Sequence, residues 1–129
     1  MKYEYYYIED NNKKSNCIIR TFCKLFNKDY DEVKQELINI AKTLNYESYA
    51  EIEVFEKYLD NNNYKKIKSK EEKIKHLKLE NGKYAVFCYD KKDFYHMLPL
   101  INNTIYDKTE ENMNLYVISL YKQITPIIK

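Results

Sequence analysis

Asn81-Gly82-Lys83-Tyr84-Ala85-Val86-Phe87-Cys88-Tyr89 is the stretch where the chain changes character. Asn81-Gly82 contains the only glycine of the 129 residues and marks a turn. The next seven residues, Lys83 to Tyr89, are β-branched and aromatic and predict a strand. Downstream, Phe94 to Ile101 predicts a second strand, Asn102-Asn103 a tight turn, and Thr104 to Asp107 a third strand. A charged loop precedes a fourth strand from Leu115 to Lys122, and Pro126 closes the tail.

Upstream of the turn the apolar period is helical. A first helix starts near Ser15 or Asn16, both good N-cap types, and carries Cys17, Ile18, Thr21, Phe22 and Leu25 until Asn27-Lys28 breaks it. A second helix opens at Asp29 or Tyr30 and runs to about Leu44, with Val33, Leu37, Ile40, Ala41 and Leu44 at helical spacing. A third covers residues 48–60, with Ile52, Phe55, Tyr58 and Leu59 on one side, and Asn61-Asn62-Asn63 ends it. Tyr64 to Lys68 predicts a short strand, and Ser69 opens a short charged helix to about Leu77. Residues 1–10 form an N-terminal strand or arm. The expected fold is therefore α+β: one domain over 1–129, mainly helical across 15–77, then an antiparallel sheet across 83–122.

Composition narrows the function classes. Lys, Asn, Ile and Tyr make up almost half the chain and Arg20 is the only arginine, a skew that reflects AT-rich codons more than chemistry. The net charge is +2, with 22 basic and 20 acidic residues interspersed, so no basic stripe points to nucleic acid. No run approaches the roughly 18 apolar residues of a spanning helix. Met1 to Tyr7 lacks the aliphatic stretch of a signal peptide, so a cytoplasmic protein with no membrane contact is expected.

Cys17, Cys23 and Cys88 are an odd and sparse set, read as reduced thiols. Without C-x-x-C spacing, and with only His76 and His96 as histidines, no metal or cofactor is called for. A thiol is a useful nucleophile once its thiolate is populated near neutral pH, and the start of a helix favours that anion. Cys17 stands in the first turn of the first helix. Cys23 and Cys88 read as small buried hydrophobes. A Cys17–Cys23 disulfide is geometrically poor, because i, i+6 positions lie on opposed faces of a helix. His96 lies in the apolar run Phe94-Tyr95-His96-Met97-Leu98-Pro99-Leu100, where an imidazole has no evident structural duty. Asp107 follows eleven residues later, across the Asn102-Asn103 turn, so that folding the hairpin brings carboxylate to imidazole. His76 is the competing histidine, in a Lys/Glu-rich segment that predicts a solvated face.

With these positions fixed, the chain resembles a known family. Asn16-Cys17-Ile18-Ile19-Arg20-Thr21, then Asn27-Lys28-Asp29-Tyr30-Asp31-Glu32-Val33, Gly82-Lys83-Tyr84, His96 and Tyr106-Asp107 are similar to motifs of small papain-like cysteine peptidase-type proteins of bacteria and their phages. The resemblance covers about residues 11–122. It departs from the family at Tyr95 and Asn27, where glycine is usual, and in the charged turn Asp90-Lys91-Lys92-Asp93. It implies Cys17 as nucleophile, His96 as base and Asp107 as orienter. It also implies a polar side chain a few residues before the nucleophile to hold an oxyanion, Asn11 in preference to Asn12. The implied activity is hydrolysis of an amide or isopeptide bond in a protein or peptide substrate. The alternative is a phage-type binding protein that blocks a host or defence protein in the host cytoplasm, with Tyr3, Tyr5, Tyr6 and Tyr7 as contact residues.

Overall fold

The computed structural model describes residues 1–10, 13–14 and 16–124, with backbone alone for 10, 13 and 14. Asn11, Asn12, Ser15 and Pro126 lie outside the described residues.

The first helix, α1, spans Cys17–Phe26. Asn16 is its N-cap: the side-chain oxygen accepts from the N–H of Ile18 at 2.8 Å and of Ile19 at 3.4 Å. Asn27 ends it in the left-handed region at φ 54. Asparagine there stands in for glycine, because its short polar side chain tolerates this conformation. The second helix, α2 (Tyr30–Thr43), buries Val33, Leu37 and Ala41 in a stripe four residues apart. Leu44, expected on that stripe, falls beyond the helix end and is exposed.

The third helix, α3, spans Ile52–Asn61 and starts four residues later than the pattern predicts. Its buried face is Val54, Phe55, Tyr58 and Leu59, while Ile52 stands half exposed. The expected helix over Ser69–Leu77 shrinks to a single 3-10 turn at Ile74–His76. Tertiary pairing overrides local propensity there. Ile74 N–H donates to the Leu115 carbonyl at 2.9 Å, Val117 N–H to the Glu72 carbonyl at 2.9 Å, and Lys73 bridges to Tyr116. Backbone groups committed to a neighbouring strand are lost to i→i−4 bonds.

Eight strands are present among the described residues: β1 (Lys2–Tyr5), β2 (Glu9–Asp10), β3 (Lys13–Lys14), β4 (Tyr64–Ile67), β5 (Lys83–Tyr89), β6 (Tyr95–Ile101), β7 (Thr104–Asp107) and β8 (Tyr116–Gln123). β2 and β3 form a short antiparallel ribbon before α1, and the other six make one sheet in the order β1-β7-β6-β5-β8-β4. The turn between β6 and β7 is made by Asn102 and Asn103, both at positive φ (48 and 63), as a two-residue hairpin with matching twist requires. The sheet is mixed rather than antiparallel. β1 runs parallel to β7, from Lys2 opposite Thr104 to Tyr5 opposite Asp107. The architecture is α+β, three helices on a mixed six-stranded sheet.

Both faces of the sheet are covered, which is why β5 and β6 read as continuous apolar runs. Ala85, Met97 and Tyr121 belong to the core shared with the helices, alongside Ile19, Phe22 and Phe55. Val86, Cys88, Leu98, Leu100 and Ile105 form a second core with Ile74 and Leu77. Among the described residues no helix is long and apolar enough to cross a membrane.

Candidate functional site: a thiol, an imidazole and a carboxylate

Strand register brings His96 and Asp107 together. Leu100 pairs with Ile105 across the hairpin. His96 lies four residues before Leu100 and Asp107 two after Ile105, and side chains separated by even numbers share one face. The imidazole Nε2 is 2.7 Å from Asp107 Oδ2, with both side chains buried. Asp107 is held from several directions. The side-chain amide of Asn112 donates to Oδ2 at 2.8 Å, and the Lys108 N–H donates to Oδ1 at 2.8 Å. Its carbonyl accepts from Tyr3 Oη and from the Tyr6 N–H, each at 2.9 Å.

β6 and β7 pair only over Leu100-Ile101 and Thr104-Ile105, so the strands part toward His96 and Asp107. The tip of α1 meets β6 beside this opening. The Cys17 thiol stands close enough to the His96 ring and to the Met97 N–H for both to draw its pKa down. With Nε2 engaged by the carboxylate, Nδ1 is the ring nitrogen left for sulfur. The three residues that sequence singled out as a chemical unit are thus gathered at one place, the carboxylate bonded to the ring and the thiol lining the same cavity.

Electrostatics follow from this geometry. Burial pushes the Cys17 thiol up and is the largest single influence. The hydrogen bond and charge of His96, the Met97 N–H and the Arg20 guanidinium together outweigh it, leaving the thiol below its ordinary 9.0. Burial alone would lower His96, yet hydrogen bonds to Asp107 and Cys17 raise it to about 9. Burial would raise Asp107, but His96, Asn112 and the Lys108 N–H hold it below the usual carboxylate value. A lowered thiol beside a raised imidazole favours the thiolate–imidazolium pair.

Cys17 is partly exposed, whereas Cys23 and Cys88 are buried, and all three are free thiols. Cys23 is pushed up to about 11, by burial first and then by the Asp29 charge. Burial also pushes Cys88 well above its ordinary value, and its S–H donates to the His96 carbonyl at 3.4 Å. These two behave as the small hydrophobes expected of them.

Two cavities flank the thiol. One of about 340 Å3 is lined by Tyr7, Arg20, Phe94 and Lys108 together with Cys17, His96 and Asp107. The other, about 470 Å3, is lined by Ile18, Ile52, Phe55, Phe87 and Met97 together with Cys17 and His96. Tyr95, at the position where glycine was expected, borders both. A larger cavity of about 880 Å3 lies elsewhere, beside Met1, His76 and Leu77, and no cysteine lines it. His76 is exposed there and takes no part in the Cys17 site.

Sequence reasoning missed Asn112, which sits in a charged loop with no distinguishing neighbour, and the Met97 N–H, which no side-chain pattern reveals. It also gave Arg20 and Tyr7 no place at the site. The Arg20 guanidinium stacks on the Tyr7 ring at 4.8 Å, with Lys108 also over that ring at 4.7 Å. Asn11, the expected oxyanion residue, and its alternative Asn12 lie outside the described residues. Among the described residues no group of three His, Cys, Asp or Glu side chains is arranged to hold a metal ion. No family model, no curated protein and no solved structure matches the chain.

Proposed function

We propose that this protein is a papain-like cysteine hydrolase that cleaves an amide or isopeptide bond through a thioester intermediate. The observation that carries the reading is Cys17, its thiol lowered, lining two cavities together with His96, whose ring is bonded to Asp107. Cys17 thiolate attacks the carbonyl carbon and forms a C–S bond. The developing oxyanion meets the Cys17 backbone N–H, which at the first position of α1 has no intrahelical acceptor. His96 gives its proton to the departing amine nitrogen as the C–N bond breaks. His96 then takes a proton from water, which attacks the thioester, the C–S bond breaks, and thiolate and imidazolium are restored. Asp107 holds the ring in the tautomer and orientation that both steps need.

Intact-mass analysis with a panel of N-acyl peptide amides and isopeptides tests this reading. An acyl adduct on Cys17, product release, and loss of both in Cys17→Ala are expected. No adduct and no cleavage across the panel, with Cys17 no more reactive than an unfolded cysteine, would contradict it.

A second reading, a partner-blocking protein of the phage type on the same scaffold, draws support from exposed aromatics beside the site: Phe94 and Tyr95 are 47% and 55% exposed. Of the four N-terminal tyrosines, only Tyr5 stands mostly exposed, at 68%. Tyr3 and Tyr6 spend their hydroxyls on the carbonyls of Asp107 and Arg20, and Tyr7 packs on Arg20 and Lys108. Stoichiometric capture of a partner that survives Cys17→Ala would favour this reading over hydrolysis.

A further inference from the structure

The cavity on the α3 side of Cys17 differs from its neighbour in chemistry. Its floor is Phe55, Phe87 and Met97, its rim Ile52 and Tyr95, and among the described residues no lysine, arginine, aspartate or glutamate lines it. The neighbouring cavity has Arg20 and Lys108 in its walls. The volume of the α3-side cavity, about 470 Å3, falls within the range of ligand pockets. Ile52 is 50% exposed on the first residue of α3, and Tyr95 is 55% exposed in β6. Neither is needed to fill a core, and both turn apolar surface toward the same hollow.

The wall is also a continuous run of packed aromatic rings. Tyr95 stacks between Tyr89 (5.8 Å, 23°) and Phe87 (6.0 Å, 21°), and Phe87 in turn packs on Phe55 at 5.3 Å. Such a preformed aromatic wall limits the ordering cost of binding.

We propose that this cavity takes a bulky apolar side chain, aliphatic or aromatic, of a peptide substrate next to the bond attacked by Cys17. The proposal rests on the hydrolase reading and specifies its substrate. The cavity is continuous with the reacting sulfur, so its occupant is the part of the substrate adjoining the reactive carbonyl. A charged side chain would be stripped of water there without a partner. Glycine would leave the pocket unfilled and the carbonyl loosely placed.

The test uses chloroacetyl derivatives of leucine amide, phenylalanine amide, glycine amide and glutamate amide, with iodoacetamide as the small reference reagent. In each, Cys17 thiolate displaces halide, and labelling is followed by intact mass. The leucine and phenylalanine reagents are expected to label Cys17 about tenfold faster than the glycine and glutamate ones. Ile52→Ser, at a position half open to solvent, is expected to shrink that preference to about twofold when each rate is divided by the iodoacetamide rate of the same variant. Equal rates for all four reagents, or a preference for glutamate, with iodoacetamide still fast, would overturn the apolar cavity and leave the hydrolase reading intact. Slow iodoacetamide labelling, matching an unfolded thiol, would remove both. A concentration-dependent dimer that Ile52→Ser dissolves would assign the patch to a second copy of the chain instead.

Discussion

His96 and Asp107, eleven residues apart, meet at 2.7 Å because both lie at even offsets from the Leu100–Ile105 pair. That contact engages Nε2 with the carboxylate and leaves Nδ1 as the ring nitrogen available to the sulfur of Cys17. Two pKa shifts in opposite directions follow, and they make the contact visible in solution.

His96 is raised from 6.5 to about 9, and Asp107 is lowered from 3.8. A raised histidine stabilises the fold fully below its unfolded value and loses that contribution as pH climbs through the folded one. A lowered aspartate contributes above its unfolded value and loses the contribution as pH falls through its folded one. The pair therefore contributes most between 3.8 and 6.5, and the histidine's share is lost as pH approaches about 9. Urea titrations of wild type and His96→Gln should differ most in that window and converge on the alkaline side. Imidazole NMR should place His96 above 6.5 in wild type and lower in Cys17→Ala, which lacks the hydrogen bond and charge of the sulfur.

Asn112 holds the carboxylate from the loop before β8. Asn112→Ala removes one donor from Asp107 Oδ2, a hydrogen bond to a charged group worth about 1 kcal/mol at this half-buried position. Asp107 should then titrate higher, and acid unfolding should begin at higher pH than in wild type. An unchanged acid transition would show that the amide does not hold the carboxylate.

Thiol accessibility should split one to two. Cys17 is partly exposed, while Cys23 is 8% exposed and Cys88 fully buried. A disulfide-exchange reagent on the native protein should consume one thiol rapidly, and all three after denaturation. Rapid consumption persisting in Cys17→Ala would assign the reactive sulfur elsewhere.

Tyr64 offers a test on stability alone. Its ring packs edge-on to Phe26 at 5.4 Å, and its buried hydroxyl has no hydrogen-bond partner among the described residues. Burial without a partner costs about 1–3 kcal/mol, so Tyr64→Phe should leave the protein equally stable or raise its stability by about 1 kcal/mol in thermal unfolding. A loss of stability would mean that the hydroxyl finds a partner in solution.

Much of the frame was legible because local chemistry dictates it. The strand Lys83–Tyr89 and the strand Thr104–Asp107 begin and end where composition places them, and the Asn102-Asn103 turn sets the register that joins His96 to Asp107. The helix start at Cys17 follows from Asn16 as cap. What escaped depends on partners distant along the chain. β1 pairs in parallel with β7 about a hundred residues away, which no local pattern of Lys2–Tyr5 encodes. Residues 69–77 carry helical composition but are captured by the start of β8. Asn112 is one asparagine among many in an AT-skewed sequence, and only the folded loop sets it against Asp107.

The ionisation of Cys17 tests the account most directly. The rate of iodoacetamide alkylation of Cys17 should be followed against pH in wild type and in His96→Gln. The wild-type midpoint should lie below the ordinary 9.0, and His96→Gln should move it upward, since the ring supplies the largest influences that lower it. Coincident profiles for the two proteins, with a midpoint at or above 9.0, would contradict the thiolate–imidazolium pair from which the proposed chemistry proceeds.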